Sequence, residues 1–250
     1  MTDIIGHRGG RNLWPENSML GFRRALELAI DAVEFDLHLT DAGEILVIHD
    51  ATLDRTVEAS GEVRALPAGA HASLRLRGSD EGIPTLDEVL SLMAASRRVE
   101  LHVELKADAT GTPYPGLAAR AANAVASYGL GDRCLLTSFN LDVLEECRAV
   151  APGVRRLVSI NEKSAERLGL LATLQRANAL VSVVAVHKDL LAAQWAEITA
   201  TIPPDRICAW TVNEAAEIAA WLDRGVGYIT SDDPVLALAT RSARAGGAAA

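Results

Sequence analysis

Aromatic side chains make up only 4% of the 250 residues, and cysteine is scarcer still, with three. Cys134, Cys147 and Cys208 are odd in number, widely spaced, and form neither a CxxC pair nor a Cys/His metal pattern. That argues against a disulfide framework or a zinc site and leads to the expectation of a reducing, cytoplasmic setting. Positive charge is also in deficit: 24 Lys and Arg stand against 33 Asp and Glu, for a net charge of −9. Nucleic acid and anionic membranes reward clustered Lys and Arg, so neither is expected as a partner. An anionic substrate must then meet a locally positive site. No apolar run approaches the ~18 residues needed to cross a bilayer, and no basic stretch followed by an apolar one opens the chain, so a soluble protein without stable membrane association is expected. A glycine-rich dinucleotide turn is missing too: the first strand candidate runs into GHRGG, not GxGxxG.

What is present is a strand-then-helix rhythm. Strand candidates are 3–7, 33–39, 100–106, 133–138, 154–160, 180–186, 206–212 and 226–231. Helix starts are expected at Asn17 or Ser18, at Thr85 with Glu88 as a capping box, at Asn140, at Asn213, and at Asp233 followed by Pro234. In the first helix Met19, Phe22, Leu26 and Ala29 recur at the spacing of one buried face. Eight βα units favour a closed parallel α/β barrel over an open doubly wound sheet. Two segments depart from a plain barrel. GEILVIHD (43–50) reads as an extra strand doubling back on 33–39 as a hairpin, and 51–83 reads as a small insertion at one end. The expected organisation is one barrel domain over 1–240 and a loose tail over 241–250.

Side chains alternate along a strand, so Glu34, Asp36, His38 and Thr40 share one face while Val33, Phe35, Leu37 and Leu39 share the other. The strand at 100–106 repeats the split, with Glu100, His102, Glu104 and Lys106 on the polar side. In a barrel those polar faces converge near the C-terminal mouth, where such enzymes keep their chemistry. Three carboxylates there repel unless a cation sits among them. An oxygen-only set suits a hard divalent ion, Mg²⁺ or Ca²⁺, so Glu34, Asp36 and Glu104 are the candidate metal ligands. Arg8 and Lys106 supply positive charge and donors for phosphate oxygens. A two-residue Ala42-Gly43 loop would set His49 opposite Asp36 on the same face, whereas a three-residue loop would turn it away; the functional reading needs the first.

At this point the chain resembles the glycerophosphodiester phosphodiesterase family. The matching segments are GHRGG (6–10), PENS (15–18), EFDLHLTDAGEILVIHDATLDRT (34–56), IPTLDEVL (83–90), VELK (103–106), TSFN (137–140), WTVN (210–213) and ITSDDP (229–234), in order along nearly the whole chain. The resemblance implies a TIM (β/α)8 barrel with 51–83 as the family's small insertion. It also implies His7 and His49 as acid and base, Glu34, Asp36 and Glu104 as metal ligands, and Arg8 and Lys106 as phosphate contacts. ELK stands for the commoner EIK, and TSDDP carries a serine-for-acidic change expected not to touch chemistry.

Hydrolysing a phosphodiester requires charge stabilisation on the phosphoryl oxygens, an activated nucleophile and a proton for the departing alkoxide. Two imidazoles answer the last two needs, with their order open. Either water or a neighbouring glycerol hydroxyl serves as nucleophile, and both routes use the same residues. Trp210 and Phe139 are candidates for an apolar wall beside the substrate. His38 and His102 are expected to be hydrogen-bonded supports, His71 and His187 exposed. Asp50 and Arg55 are expected to pair, and Glu16 and Asn17 to hold the first loop. The competing readings are a phospholipase C- or D-type phosphodiesterase acting on lysolipids and a catalytically silent glycerophosphodiester-binding module. A metal-dependent amidohydrolase would need an HxH pair in the first strand, which reads GHRG.

Overall fold

A computed structural model of the chain describes residues 1–96 and 99–247. Nine strands are described: β1 (Asp3–His7), β2 (Ala32–Leu39), β3 (Ile45–Val47), β4 (Glu100–Leu105), β5 (Cys134–Ser138), β6 (Arg155–Ile160), β7 (Val183–His187), β8 (Ile207–Trp210) and β9 (Tyr228–Ser231). The helices between and after them are α1 (Met19–Glu27), α2 (Leu86–Ala94), α3 (Leu117–Ser127), α4 (Leu141–Val150), α5 (Glu162–Leu168), α6 (Leu170–Leu180), α7 (Lys188–Ala193), α8 (Trp195–Thr201), α9 (Ala215–Asp223) and α10 (Pro234–Gly247). Every strand except β3 pairs in parallel, and the β1–β2 pairing closes the ring, so the architecture is a TIM barrel of eight strands with one extra strand outside it.

β2 explains how that extra strand fits. Its residues Ala32–Leu37 pair with β4 on one edge, while β1 covers only Ala32–Glu34 on the other. The edge left open at Leu37–Leu39 is taken antiparallel by β3. All eight residues of β2 are buried. Its apolar side packs outward: Phe35 meets Phe22 of α1 edge-to-face at 5.7 Å, inside a cluster that also holds Val33, Leu37, Leu86 and Met93. Each such fully buried side chain contributes about 1.5–3 kcal/mol of transfer free energy, and this commits the opposite, polar side to the barrel axis. The floor of the barrel is an apolar layer of Ile5, Ala32, Leu135, Leu157, Val183 and Cys208, which closes the bottom and leaves the chemistry to the mouth.

Residues 51–83 carry a small core of their own, in which Leu53, Val57, Val63, Leu76 and Ile83 pack with Leu46 and Ile48. Two short 3₁₀ turns, Val63–Ala65 and Ala70–Ser73, stand there. Ser18, Thr85, Asn140 and Asp233 cap helices through their side chains, Thr85 with Glu88 in a reciprocal box. Three expectations differ. Helix α1 stops at Glu27 because Leu28 is extended at φ −86°, ψ 164°, and Ala29 is exposed. Asn213 caps nothing, since its amide is bound to Asp232. The expected tail is helical as far as Gly247, with Arg241 bound to the Thr2 carbonyl and to Asp31; residues 248–250 lie outside the described residues.

Candidate active site

The strand registers alone bring the charged groups together. Pairing sets His7 beside Glu34, Glu34 beside His102, and Asp36 beside Glu104. One carboxylate oxygen from each of Glu34, Asp36 and Glu104 lies within 4.8 Å of the others, and the three residues are 9%, 1% and 9% exposed. Two cations interleave with them. Lys106 Nζ is 2.7 Å from Glu104 and 3.3 Å from Asp36, and Arg8 Nε is 3.3 Å from Asp36. The Arg8 backbone N–H donates to Glu34 Oε2 at 3.2 Å. That aim depends on a turn in which Arg8, Gly9 and Gly10 all have positive φ. A Cβ on Gly9 would stand 3.0 Å from the Gly21 backbone, so the turn needs glycine there both for conformation and for space.

Burial shapes the protonation of this cluster. Burial pushes the Glu34 carboxyl well above its usual range, and the neighbouring Asp36 and Glu104 push it further. Burial would raise Asp36 too, yet Lys106 and Arg8 outweigh it and hold that group well below the ordinary carboxylate range. The same carboxylates, Glu104 first, raise the Lys106 ammonium against the opposing effect of burial. Two imidazoles flank the cluster. His7 Nε2 is 3.8 Å from Glu34, while its Nδ1 lies 2.5 Å from Asp232 Oδ1. His49 Nδ1 lies 2.6 Å from Asp50, which is bound in turn by Arg55, and Arg55 reaches Glu16, the partner of Arg8. Burial lowers both imidazole pKa values, opposed at His7 by Asp232 and at His49 by Asp36.

His7, Arg8, Glu34, His49, Glu104 and Lys106 line a cavity of 250 Å³ that also touches Thr137, Ser159, Cys208, Trp210 and Phe139. Phe139 stands edge-on to Trp210 at 5.5 Å, with Lys106 Nζ 5.9 Å above its ring. Trp210 also packs on His187, so that histidine is less exposed than expected. His38 donates or accepts at Tyr114 Oη (2.8 Å) and holds the His49 carbonyl at 3.0 Å, and His102 bonds Glu100. Asn17 donates to Asp36 at 2.9 Å.

One reading of the sequence needs correcting. The hairpin has the three-residue loop: Thr40 and Glu44 face each other, and Leu37 pairs with Val47. Ile48, not His49, is therefore bonded opposite Asp36. His49 enters the cavity nonetheless, because β3 ends at Val47 and His38 and Asp50 hold the turned chain. In the TSDDP segment the sequence reading missed a residue. Its Asp232 is 1% exposed and bonded to His7, so the segment does reach the cavity residues. Asn213 donates to Asp232 Oδ2 at 2.8 Å, and Arg11 adds an ion pair at 2.9 Å. Through these bonds the Asp232 carboxyl, which burial would raise, is brought down to about 2, with His7 the main cause. The available signal was a carboxylate directly after the C-terminal end of a barrel strand.

The donor set fits a hard divalent cation. Three buried carboxylates stand against two cations, a net negative charge that raises Glu34 and that a dication would reverse in favour of an anionic diester.

Comparison with known proteins decides the kinship. The family model described as glycerophosphoryl diester phosphodiesterase family matches residues 7–236. The chain belongs to this family. A glycerophosphodiester phosphodiesterase of Caldanaerobacter subterraneus is 34% identical over 62% of this chain and 65% of its own, so the match spans just under two thirds of that relative. One of Bacillus altitudinis is 29% identical over 96% of this chain and 98% of its own. The crystal structure of a putative glycerophosphoryl diester phosphodiesterase from Agrobacterium tumefaciens superposes with a TM-score of 0.89 at 30% identity, covering 98% of both chains. This family member thus shares both sequence and barrel with its relatives.

Proposed function

We propose that this chain hydrolyses glycerophosphodiesters to an alcohol and glycerol 3-phosphate, with a divalent cation and with His7 and His49 as the acid–base pair. One observation carries the reading: two imidazoles, each bonded at Nδ1 to its own carboxylate, border one cavity beside a three-carboxylate cluster. Kinship to the family supports the choice of substrate class.

An ionised carboxylate only accepts, so Asp232 and Asp50 each keep a proton on Nδ1 and leave Nε2 for the substrate. Arg8 and Lys106 hold the phosphoryl oxygens and orient the diester for in-line attack. One Nε2 removes the proton from the attacking oxygen, and the other, protonated, hands one to the leaving alkoxide. Glu34, Asp36 and Glu104 would hold Mg²⁺ or Ca²⁺, which when bound stabilises charge on the phosphoryl oxygens and lowers the pKa of the attacking oxygen. Trp210 and Phe139 wall the cavity and limit water access around the diester. A small-molecule partner and a cytoplasmic setting go with this reading, three free thiols suiting a reducing compartment.

The test is release of glycerol 3-phosphate from glycerophosphocholine, glycerophosphoethanolamine and glycerophosphoinositol with Mg²⁺, Ca²⁺ or EDTA. Wild type turns over at least one diester with metal and none with EDTA. His7→Ala and Glu34→Ala each lose on the order of 10²–10⁴-fold. Retained activity in His7→Ala discards its assigned role, and binding without turnover by wild type makes the chain a binding module instead.

A further inference from the structure

A second cavity, of 410 Å³, opens beside the first and shares Glu104, Lys106, Phe139 and Ser159 with it. A phosphodiester held by Lys106 and Arg8 has two arms, and the two cavities offer two places for them. The smaller one is ringed by Thr137, Ser159, Thr230 and the buried Trp210 Nε1, which has no hydrogen-bond partner among the described residues. Those polar groups match the hydroxyls of glycerol. The larger cavity lies under the loops after β4, β5 and β6 and is walled by Leu105, Pro113, Leu141, Val158, Ile160 and Leu168.

Much of its polar lining is already engaged. Ser138 donates to the Leu105 carbonyl, Asn140 caps α4, and Asn161 and Ser164 cap α5 reciprocally. The charges left in it are unequal. Among the described residues Glu104 is the only carboxylate of the lining and is ion-paired to Lys106, whereas Lys163 lines the cavity with no ion pair. The carboxylates on adjoining segments lie outside the lining: Asp108 is bound by Arg64, Asp142 by Arg176, Glu162 lies 3.8 Å from His187, and Glu166 stands one turn on in the same helix. A quaternary or primary ammonium placed here would find two lysines, one aromatic ring and, among the described lining residues, no carboxylate but the paired Glu104, the reverse of what captures such cations.

Resting on the proposed hydrolysis, we propose that this second cavity is the leaving-alcohol subsite, and that Lys163 makes it selective for uncharged alcohols over choline and ethanolamine. Lys163 is a specificity determinant remote from bond making, in the first turn of α5, where an acidic replacement is favourable to the helix.

The experiment compares kcat/KM for glycerophosphoinositol and glycerophosphocholine in wild type, Lys163→Gln and Lys163→Glu. Wild type prefers glycerophosphoinositol. Lys163→Glu moves the ratio toward glycerophosphocholine by about five- to tenfold, with Lys163→Gln between, and the shift shrinks in 1 M salt as a charge effect at the rim must. Leu168→Trp, at a position 48% exposed and able to accept bulk, lowers turnover of glycerophosphoinositol more than that of glycerophosphoethanolamine. A ratio unmoved by Lys163→Glu, or a wild-type preference for glycerophosphocholine, overturns the assignment while leaving the phosphodiesterase reading intact. If no diester is hydrolysed, the phosphodiesterase reading fails alone. The same ratio, taken from calorimetric affinities of the two intact diesters for wild type and Lys163→Glu, then decides the subsite.

Discussion

Replacing Asp232 with asparagine tests the support behind His7 with almost no change of shape. The carboxylate accepts from His7 Nδ1 at 2.5 Å, from Asn213 at 2.8 Å and from Arg11 at 2.9 Å, and it is 1% exposed. It titrates at about 2 against an ordinary 3.8, a difference equivalent to about 2 kcal/mol of folding free energy. The sign follows from a depressed folded-state pKa: the stabilisation is fully present above about pH 4 and lost as pH falls toward 2. Asp232→Asn should therefore melt about 4–8 °C below wild type at pH 7, and the gap should close near pH 2. Catalysis should suffer more than stability. An asparagine amide can present a donor to Nδ1 and favour the wrong tautomer, so kcat should drop on the order of 10²–10⁴-fold with KM little changed. Circular dichroism melts across pH and steady-state kinetics read both. A variant within threefold of wild type in kcat, with an unshifted pH–rate profile, would refute the coupling between Asp232 and His7.

The three cysteines are buried, and burial pushes the Cys147 and Cys208 thiols up to about 12 and raises Cys134 as well. A thiol-reactive disulfide reagent should thus label none in the native protein over minutes and all three in denaturant; stoichiometric native labelling would contradict their packing. Thr85→Ala removes one half of the reciprocal cap on α2 and should cost about 1 kcal/mol, a melting shift of about 2–4 °C with kcat unaltered.

Much of this barrel is written in local pattern. Alternation in 33–39 and 100–106 obliges Glu34, Asp36 and Glu104 to one side, because the apolar residues between them must reach the helices, as Phe35 reaches Phe22. Caps such as Thr85 with Glu88 are equally local, since both partners lie within one turn. Where a position depends on groups far apart in the chain, pattern is silent. The hairpin register turned on a loop of two residues or three, a difference that local propensity does not resolve but that Thr40, Gly43 and the β1-free edge of β2 do. His49 reaches the cavity through a bend held by His38, not through strand alternation.

Asp232 shows the same limit from the other side. It lies 225 residues from His7, and only closure of the ring through β9 and β1 makes them neighbours. Asn213, with equal local claim to a helix cap, is drawn instead to that carboxylate. By itself the order of amino acids determined which face of the strands at 33–39 and 100–106 carries charge and where the helices capped by Ser18, Thr85, Asn140 and Asp233 begin, because period and capping act over a few residues. Which charges became partners, and how two cavities came to share Lys106, was decided by the closed barrel, since the Coulomb and hydrogen-bonding forces involved act across space and not along the chain.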